Sequence, residues 1–87
     1  MKMTNIVTLW LENEKEQRGL NNTQALNELN NELHTSHMPH RLSEWKRECR
    51  SLPLEVTNYV LPKAVEYATR HDVPAILIRL PVPPRSS

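Results

Sequence analysis

Hydrophobic positions recur along the chain at helical spacing in four stretches. Met3, Val7, Trp10 and Leu11 fall on one side of a helix over residues 4–18, whose Glu-rich end is solvated. Gly19, the single glycine, stands where a helix commonly ends in the left-handed conformation. Residues 6–10 are also β-prone, so a strand is the alternative there; the spacing favours the helix. Leu26, Leu29 and Leu33 follow at i, i+3, i+7 and predict a second helix over 23–33, capped by Asn22 or Thr23. Met38, Leu42, Trp45 and Cys49 form a third stripe at i, i+4, i+7, i+11. That helix is expected to start near Ser36 or His37, capped by Thr35 or Ser36, and to run to about Cys49. Pro39 is tolerable because it falls in the first turn.

Val56, Tyr59, Val60, Ala64 and Tyr67 predict a fourth helix, with Pro53 in its first turn and Pro74 beyond its end. Pro62 lies in the middle, removes one backbone hydrogen bond, and is expected to kink the helix or split it in two. Residues 75–80 are apolar, partly β-branched and flanked by prolines, which reads as a short strand or extended arm. Such a strand needs a partner, and residues 6–10 or the same strand of a second subunit are the candidates. The Pro-rich residues 81–87 are expected to be extended. The expected fold is therefore mainly α: a four- or five-helix bundle over residues 1–72 containing a helix-turn-helix, followed by an arm and tail over 73–87.

Length and composition sharpen this picture. Eighty-seven residues make one domain at most, and a domain so small gains from a second subunit. Phe is absent, so the core rests on Leu, Val, Ile, two Trp and two Tyr. Trp10 and Trp45 read as core residues. Cys49 is the only cysteine; it closes an apolar stripe and reads as a small buried hydrophobe rather than a nucleophile. The longest apolar run, residues 75–78, is far short of the roughly 20 residues of a membrane span. The first apolar stretch runs straight into Glu12, Glu14 and Glu16, unlike a signal peptide, so the expected location is the cytoplasm.

Net charge is +1, but it is unevenly placed. Residues 1–33 carry net −2, residues 34–50 net +2 and residues 51–87 net +1. The basic middle segment also holds His34, His37 and His40. With Met38, Leu42, Trp45 and Cys49 turned inward, the third helix turns Ser36, His40, Ser43, Glu44 and Arg47 outward, with Arg41 and Lys46 on the flanks. Those groups donate to base edges or phosphates, and Glu accepts from cytosine. A helix of this width fits a major groove.

The unit formed by the second and third helices resembles the Cro/CI-type (Xre-like) helix-turn-helix regulators of phages. The resemblance covers about residues 20–55. It is carried by Thr23 and Gln24 opening the second helix, by Leu42, Ser43, Glu44, Trp45, Lys46 and Arg47 in the third, and by Arg50 and Pro53 beyond it. The chain departs from that pattern in three places. The stretch from Gln24 to Leu42 is longer by about one helical turn, His34 and Thr35 replace the usual turn glycine, and Pro39 occupies a position that often holds a contacting side chain.

The resemblance implies a DNA-binding transcription regulator, a repressor as first choice, that binds an inverted-repeat operator as a dimer. With the helix geometry, it implies base-facing roles for His40, Arg41, Ser43 and Glu44. Phosphate-facing roles fall to Gln24, Ser36, Lys46, Arg47 and Arg50. Ile76, Ile78 and Leu80 are the candidates for the subunit contact. The alternative is a helical protein-interaction module, an inhibitor or adaptor that does not bind DNA.

Other chemistry finds little footing. His34, His37 and His40 stand at i, i+3, i+6, so the third lies about 240° around from the first and the three do not share a helix face. No metal site is expected. A single glycine excludes a Gly-rich phosphate cradle, and no nucleophile-base pattern or carboxylate pair is visible. An enzyme, a cofactor and a small-molecule ligand are not expected.

Overall fold

The computed structural model describes residues 4–47, 51–74 and 77–79. Its elements in order are β1 (Thr4–Asn5), α1 (Ile6–Arg18), α2 (Asn22–Leu33), α3 (Pro39–Lys46), α4 (Leu54–Arg70) and β2 (Ile78–Arg79). The mainly helical class read from the spacing is the one observed, with four helices among the described residues.

Local signals explain where each helix starts and stops. The Asn5 side chain accepts from the Val7 N–H at 2.7 Å and opens α1. Gly19 closes it with φ +66°, and its N–H reaches the Glu14 and Lys15 carbonyls. The β-prone residues 6–10 are therefore helical, and extended backbone is confined to Thr4 and Asn5. α2 opens one residue earlier than expected, and its cap is Asn21 rather than Asn22 or Thr23. Asn21 Oδ1 accepts from Gln24 N–H at 2.8 Å, and Gln24 Oε1 accepts from Asn21 N–H at 3.0 Å. This reciprocal capping box uses the glutamine three residues on, which neither alternative cap offers.

The third helix is shorter than the stripe implies. It begins at Pro39, not Ser36 or His37, and ends at Lys46, with Arg47 as its C-cap. Thr35 and Ser36 do not cap it; Met38 stands at the N-cap without a side-chain bond, and Pro39 supplies the first turn. Met38 is 57% exposed, so only Leu42 and Trp45 of the expected stripe are seen buried; Cys49 lies outside the described residues, as does Met3 of the first stripe. Pro53 precedes α4 as its cap instead of occupying its first turn. Pro62 does not split α4, which runs through it as one helix of 17 residues. Pro62 and Asn58, whose carbonyl loses its partner, are both exposed, so water can take the place of the missing bond.

The core joins α1 and α4 face to face. Ile6, Val7 and Trp10 from α1 meet Val56, Val60 and Ala64 from α4, and Leu26 and Leu29 close the side from α2. Each such aliphatic side chain contributes roughly 1.5–3 kcal/mol on burial. Leu42, Trp45 and Leu52 fill the remaining side, and Tyr59 meets Trp10 edge-on at 6.1 Å. After α4, Asp72 turns the chain with φ +53°. β2 then returns to pair in parallel with β1, Thr4 opposite Ile78 and Asn5 opposite Arg79. The partner of the C-terminal strand is thus the chain's own start, at residues 4–5 rather than 6–10. Among the described residues, no helix is long and apolar enough to cross a membrane.

Candidate nucleic-acid interface

The α2–turn–α3 unit is built around one half-buried side chain, Asn30, near the end of α2. Its Oδ1 accepts from the Thr35 hydroxyl and from the His37 N–H, both at 2.9 Å. Its Nδ2 donates to the His37 carbonyl at 2.9 Å. One amide therefore fixes the path of residues 35–37 and the point from which α3 departs. The turn itself is made by His34, which takes the left-handed conformation (φ +56°) that the absent glycine would take.

Two further contacts seat α3 on the core. Asn5 Nδ2 donates to the Trp45 carbonyl at 3.3 Å, so the residue that caps α1 also holds the last turn of α3. The His37 ring meets the Trp45 ring edge-to-face at 5.1 Å. Trp45 Nε1 and His37 Nε2 are buried without a conventional partner. In this perpendicular arrangement an N–H can meet a π cloud in place of an acceptor.

With Leu42 and Trp45 inward, His40, Ser43 and Arg47 share the outward face at i, i+3, i+7, and all three are exposed. Lys46 and Ser36 are exposed as well. Arg47 Nε donates to the Ser43 carbonyl at 3.4 Å, which places a cation at the carbonyl end of the helix, where the dipole favours it. Arg41 and Glu44 are half-buried and form an ion pair at 3.2 Å along the helix. They stand on the flank, engaged with each other, rather than on the outermost line. Gln24 sits at the start of α2, exposed, its Oε1 held by the capping box, so its NH₂ is the end able to donate to an anion.

The structure thus gathers His40, Ser43, Lys46 and Arg47 on or beside one face, and sets Arg41 and Glu44 beside them. Arg50, Ile76 and Leu80 lie outside the described residues. Ile78 is half-buried against the core of its own chain. Sequence reasoning missed Asn30 and Asn5, the two amides that position α3. Asn30 stands in a run with Asn27 and Asn31 and carried no distinguishing signal; Asn5 precedes an apolar stretch and was legible as a cap. Among the described residues, no group of three His, Cys, Asp or Glu side chains is placed to hold a metal ion. Comparison with protein-family models, with curated proteins and with solved structures found no match.

Proposed function

We propose that this chain is a cytoplasmic, sequence-specific DNA-binding regulator of the Cro/CI kind, a repressor that binds an inverted-repeat operator as a homodimer. One observation carries the reading. α3 is a short helix anchored by Leu42 and Trp45, and its exposed side chains other than Pro39, namely His40, Ser43, Lys46 and Arg47, are all hydrogen-bonding or cationic. α3 lies in the major groove. His40, Arg41, Ser43 and Glu44 meet base edges, and Ser36, Lys46, Arg47 and Arg50 meet phosphates. The N-terminus of α2, with Gln24, receives a backbone phosphate. A second copy joins through the C-terminal segment around Ile76, Ile78 and Leu80, where the edge of β2 turned away from β1 can pair with another strand. No catalysis is required, since occupancy of the promoter is the output.

The test is selection from random duplex DNA, followed by titration of the selected sequence at two salt concentrations. An inverted repeat is expected, with affinity falling steeply as salt rises. Arg47→Ala should weaken all sequences alike and lower the salt slope by about one, whereas His40→Ala should relax preference at one position. Failure to enrich any sequence would remove the proposal. The second reading is a protein-interaction module. The exposure of Met38 (57%) and Leu54 (69%) favours it, because large apolar side chains in water are common at protein contacts.

A further inference from the structure

α4 carries a second line of side chains besides the one that faces the core. Val56, Val60, Ala64 and Ala68 are buried and form the inner line. Leu54, Asn58, Leu61 and Val65 form the other. At about 100° per residue they fall within about 60° of one another, and they lie about 110° round the helix from the buried line. Leu54 is 69% exposed and Val65 47%, so this line holds two of the three large hydrophobic side chains left in water among the described residues. Leu61 between them is half-buried, and Asn58 is exposed.

The order of the four residues points to what covers them. Their steps of 4, 3 and 4 residues are those of the positions at which one helix of a coiled coil meets the next, with Leu54 and Leu61 at d and Asn58 and Val65 at a. Leucine at d with a β-branched residue at a favours two parallel strands, and a single asparagine at a fixes their register. Asn58 adds an independent sign. Pro62 lacks the N–H that would bond the Asn58 carbonyl, so an acceptor without its intrahelical donor stands within an apolar line. A second α4 laid alongside in the same direction brings its own Asn58 to that point, where the amide Nδ2 can donate to this carbonyl or to the opposite Oδ1. Across such a pair the flanking positions set Thr57 against Pro62 and Ala64 beside Thr69, so no like charges meet there.

We propose that this line of α4 is the seam of a parallel homodimer, in which Leu54, Asn58, Leu61 and Val65 each meet the same residue of a second copy. The helix is already held by the core of its own chain, so pairing carries no cost of forming it. The seam runs about 16 Å along the axis. That is at the small end of specific interfaces, so the dissociation constant is expected to be on the order of 100 μM. The seam is a different surface from the edge of β2, and it does not depend on DNA binding. Acting together, the two contacts would join dimers into a tetramer.

The test is sedimentation equilibrium of the full chain up to about 1 mM, well above the expected constant, beside the full-length variant Leu54→Lys/Val65→Lys. Both positions are exposed and lysine suits a helix, so the dilute variant should keep the far-UV dichroism of the wild type. Its association should be weaker by roughly tenfold or more, because two apolar contacts are lost and like charges meet. Orientation is read by oxidation in a Cys49→Ser background, where an introduced cysteine is the only thiol. Val65→Cys should link two chains, and Glu66→Cys, about 100° further round, should not. A wild-type chain that stays monomeric at the highest concentration would overturn the proposal. Association unchanged in the lysine variant would overturn it too, and would leave the C-terminal segment as the self-contact. Val65→Cys linking no faster than Glu66→Cys would overturn the parallel seam, since an antiparallel pair sets the two copies of residue 65 roughly 16 Å apart along the axis.

Discussion

α1–α4 and α2–α3 are held by different physics. In the first pair, buried positions run from Ile6 to Glu14 and from Val56 to Ala68, and two long helices share one apolar seam. Polar groups reinforce one end of it, where Arg70 of α4 reaches Asn13 and Glu16 of α1, while Arg18 pairs with the buried Glu14 and ties α1 to Glu28 of α2. In the second pair, α3 has eight residues and buries two, Leu42 and Trp45. A helix that short is not stable by itself. Its position comes from directional contacts instead: the Asn30 amide, the Asn5 amide and the His37–Trp45 rings. The α1–α4 seam thus supplies most of the stability, and a few hydrogen bonds supply the placement of the surface proposed to act.

The largest expected effect separates these two roles. Trp10→Ala and Trp45→Ala each remove a buried indole and should each cost about 3–5 kcal/mol, enough to threaten a small domain. They should differ in where the loss appears. Trp10 sits in the shared seam, so its loss should lower amide-exchange protection throughout the chain. Trp45→Ala should release α3 first, leaving α1 and α4 protected. Uniform loss in both variants would show that the halves form one cooperative unit.

Next in size is Asn30→Ala. It removes three side-chain hydrogen bonds and leaves the His37 backbone groups unpaired, so urea unfolding should report a loss of about 2–3 kcal/mol. Asn30→Asp keeps the acceptor for Thr35 and His37 and should lose less. If alanine and aspartate are equally harmless, the turn is held by something other than this amide, and the contrast drawn above fails for its most specific contact.

A smaller effect of opposite sign is expected at His34. A side chain in the left-handed region is strained by roughly 1–2 kcal/mol, and part of that relief is offset by the extra freedom glycine has when unfolded. His34→Gly should therefore raise thermal stability by up to about 1 kcal/mol. A clear loss of stability would mean that the histidine ring, not only the backbone, does something for the turn.

Which features were legible beforehand follows from the same contrast. The seam was readable because burial obeys periodicity: Val7, Trp10, Leu26, Leu29, Val56, Val60 and Ala64 all stood at helical spacing, and Gly19 marked a stop. The boundaries of α3 were not readable from its stripe. Met38 and Leu42 are correctly spaced, yet Met38 precedes Pro39, and a residue before proline is pushed out of helical geometry. The stripe overran the helix for that local reason. Pro62 left a kink or a split open, and of the two only the split is absent; whether a mid-helix proline breaks a helix depends on whether the orphaned carbonyl faces water, which a linear pattern does not reveal. Of the candidate site, the outward His40, Ser43 and Arg47 followed from the helix wheel. The Arg41–Glu44 pair did not: Arg41 was expected on the flank and Glu44 on the outward face, and the two are half-buried against each other. Asn30 was invisible because its role is a tertiary hydrogen bond, and asparagines on either side look the same in sequence.

The smallest expected effect lies at the far end of the α1–α4 seam. Glu16 Oε1 accepts from Arg70 Nε and Nη2 at 3.1 and 3.0 Å, and its Oε2 lies 2.6 Å from His71 Nε2, whose ring stacks on Tyr67. A carboxylate only accepts, so the His71 nitrogen is the donor in that contact. Desolvation pushes the Glu16 carboxyl upward, but the hydrogen bonds from Arg70 and His71 and their positive field outweigh it, and the carboxyl lies below its ordinary value of 4.5. A carboxyl lowered by folding stabilises the native state at pH values above the unfolded-state value. That contribution fades as pH falls through the lower, folded-state value. The melting temperature should therefore decline with a Glu16-dependent component only in the acid range below about 4.5. Glu16→Gln keeps the shape and removes the charge, so it should melt slightly below wild type at neutral pH and converge with it in acid. The network is solvent-exposed, so added salt should shrink the neutral-pH difference. Parallel melting curves for the two proteins across the whole pH range would show that this end of the seam is held by packing alone.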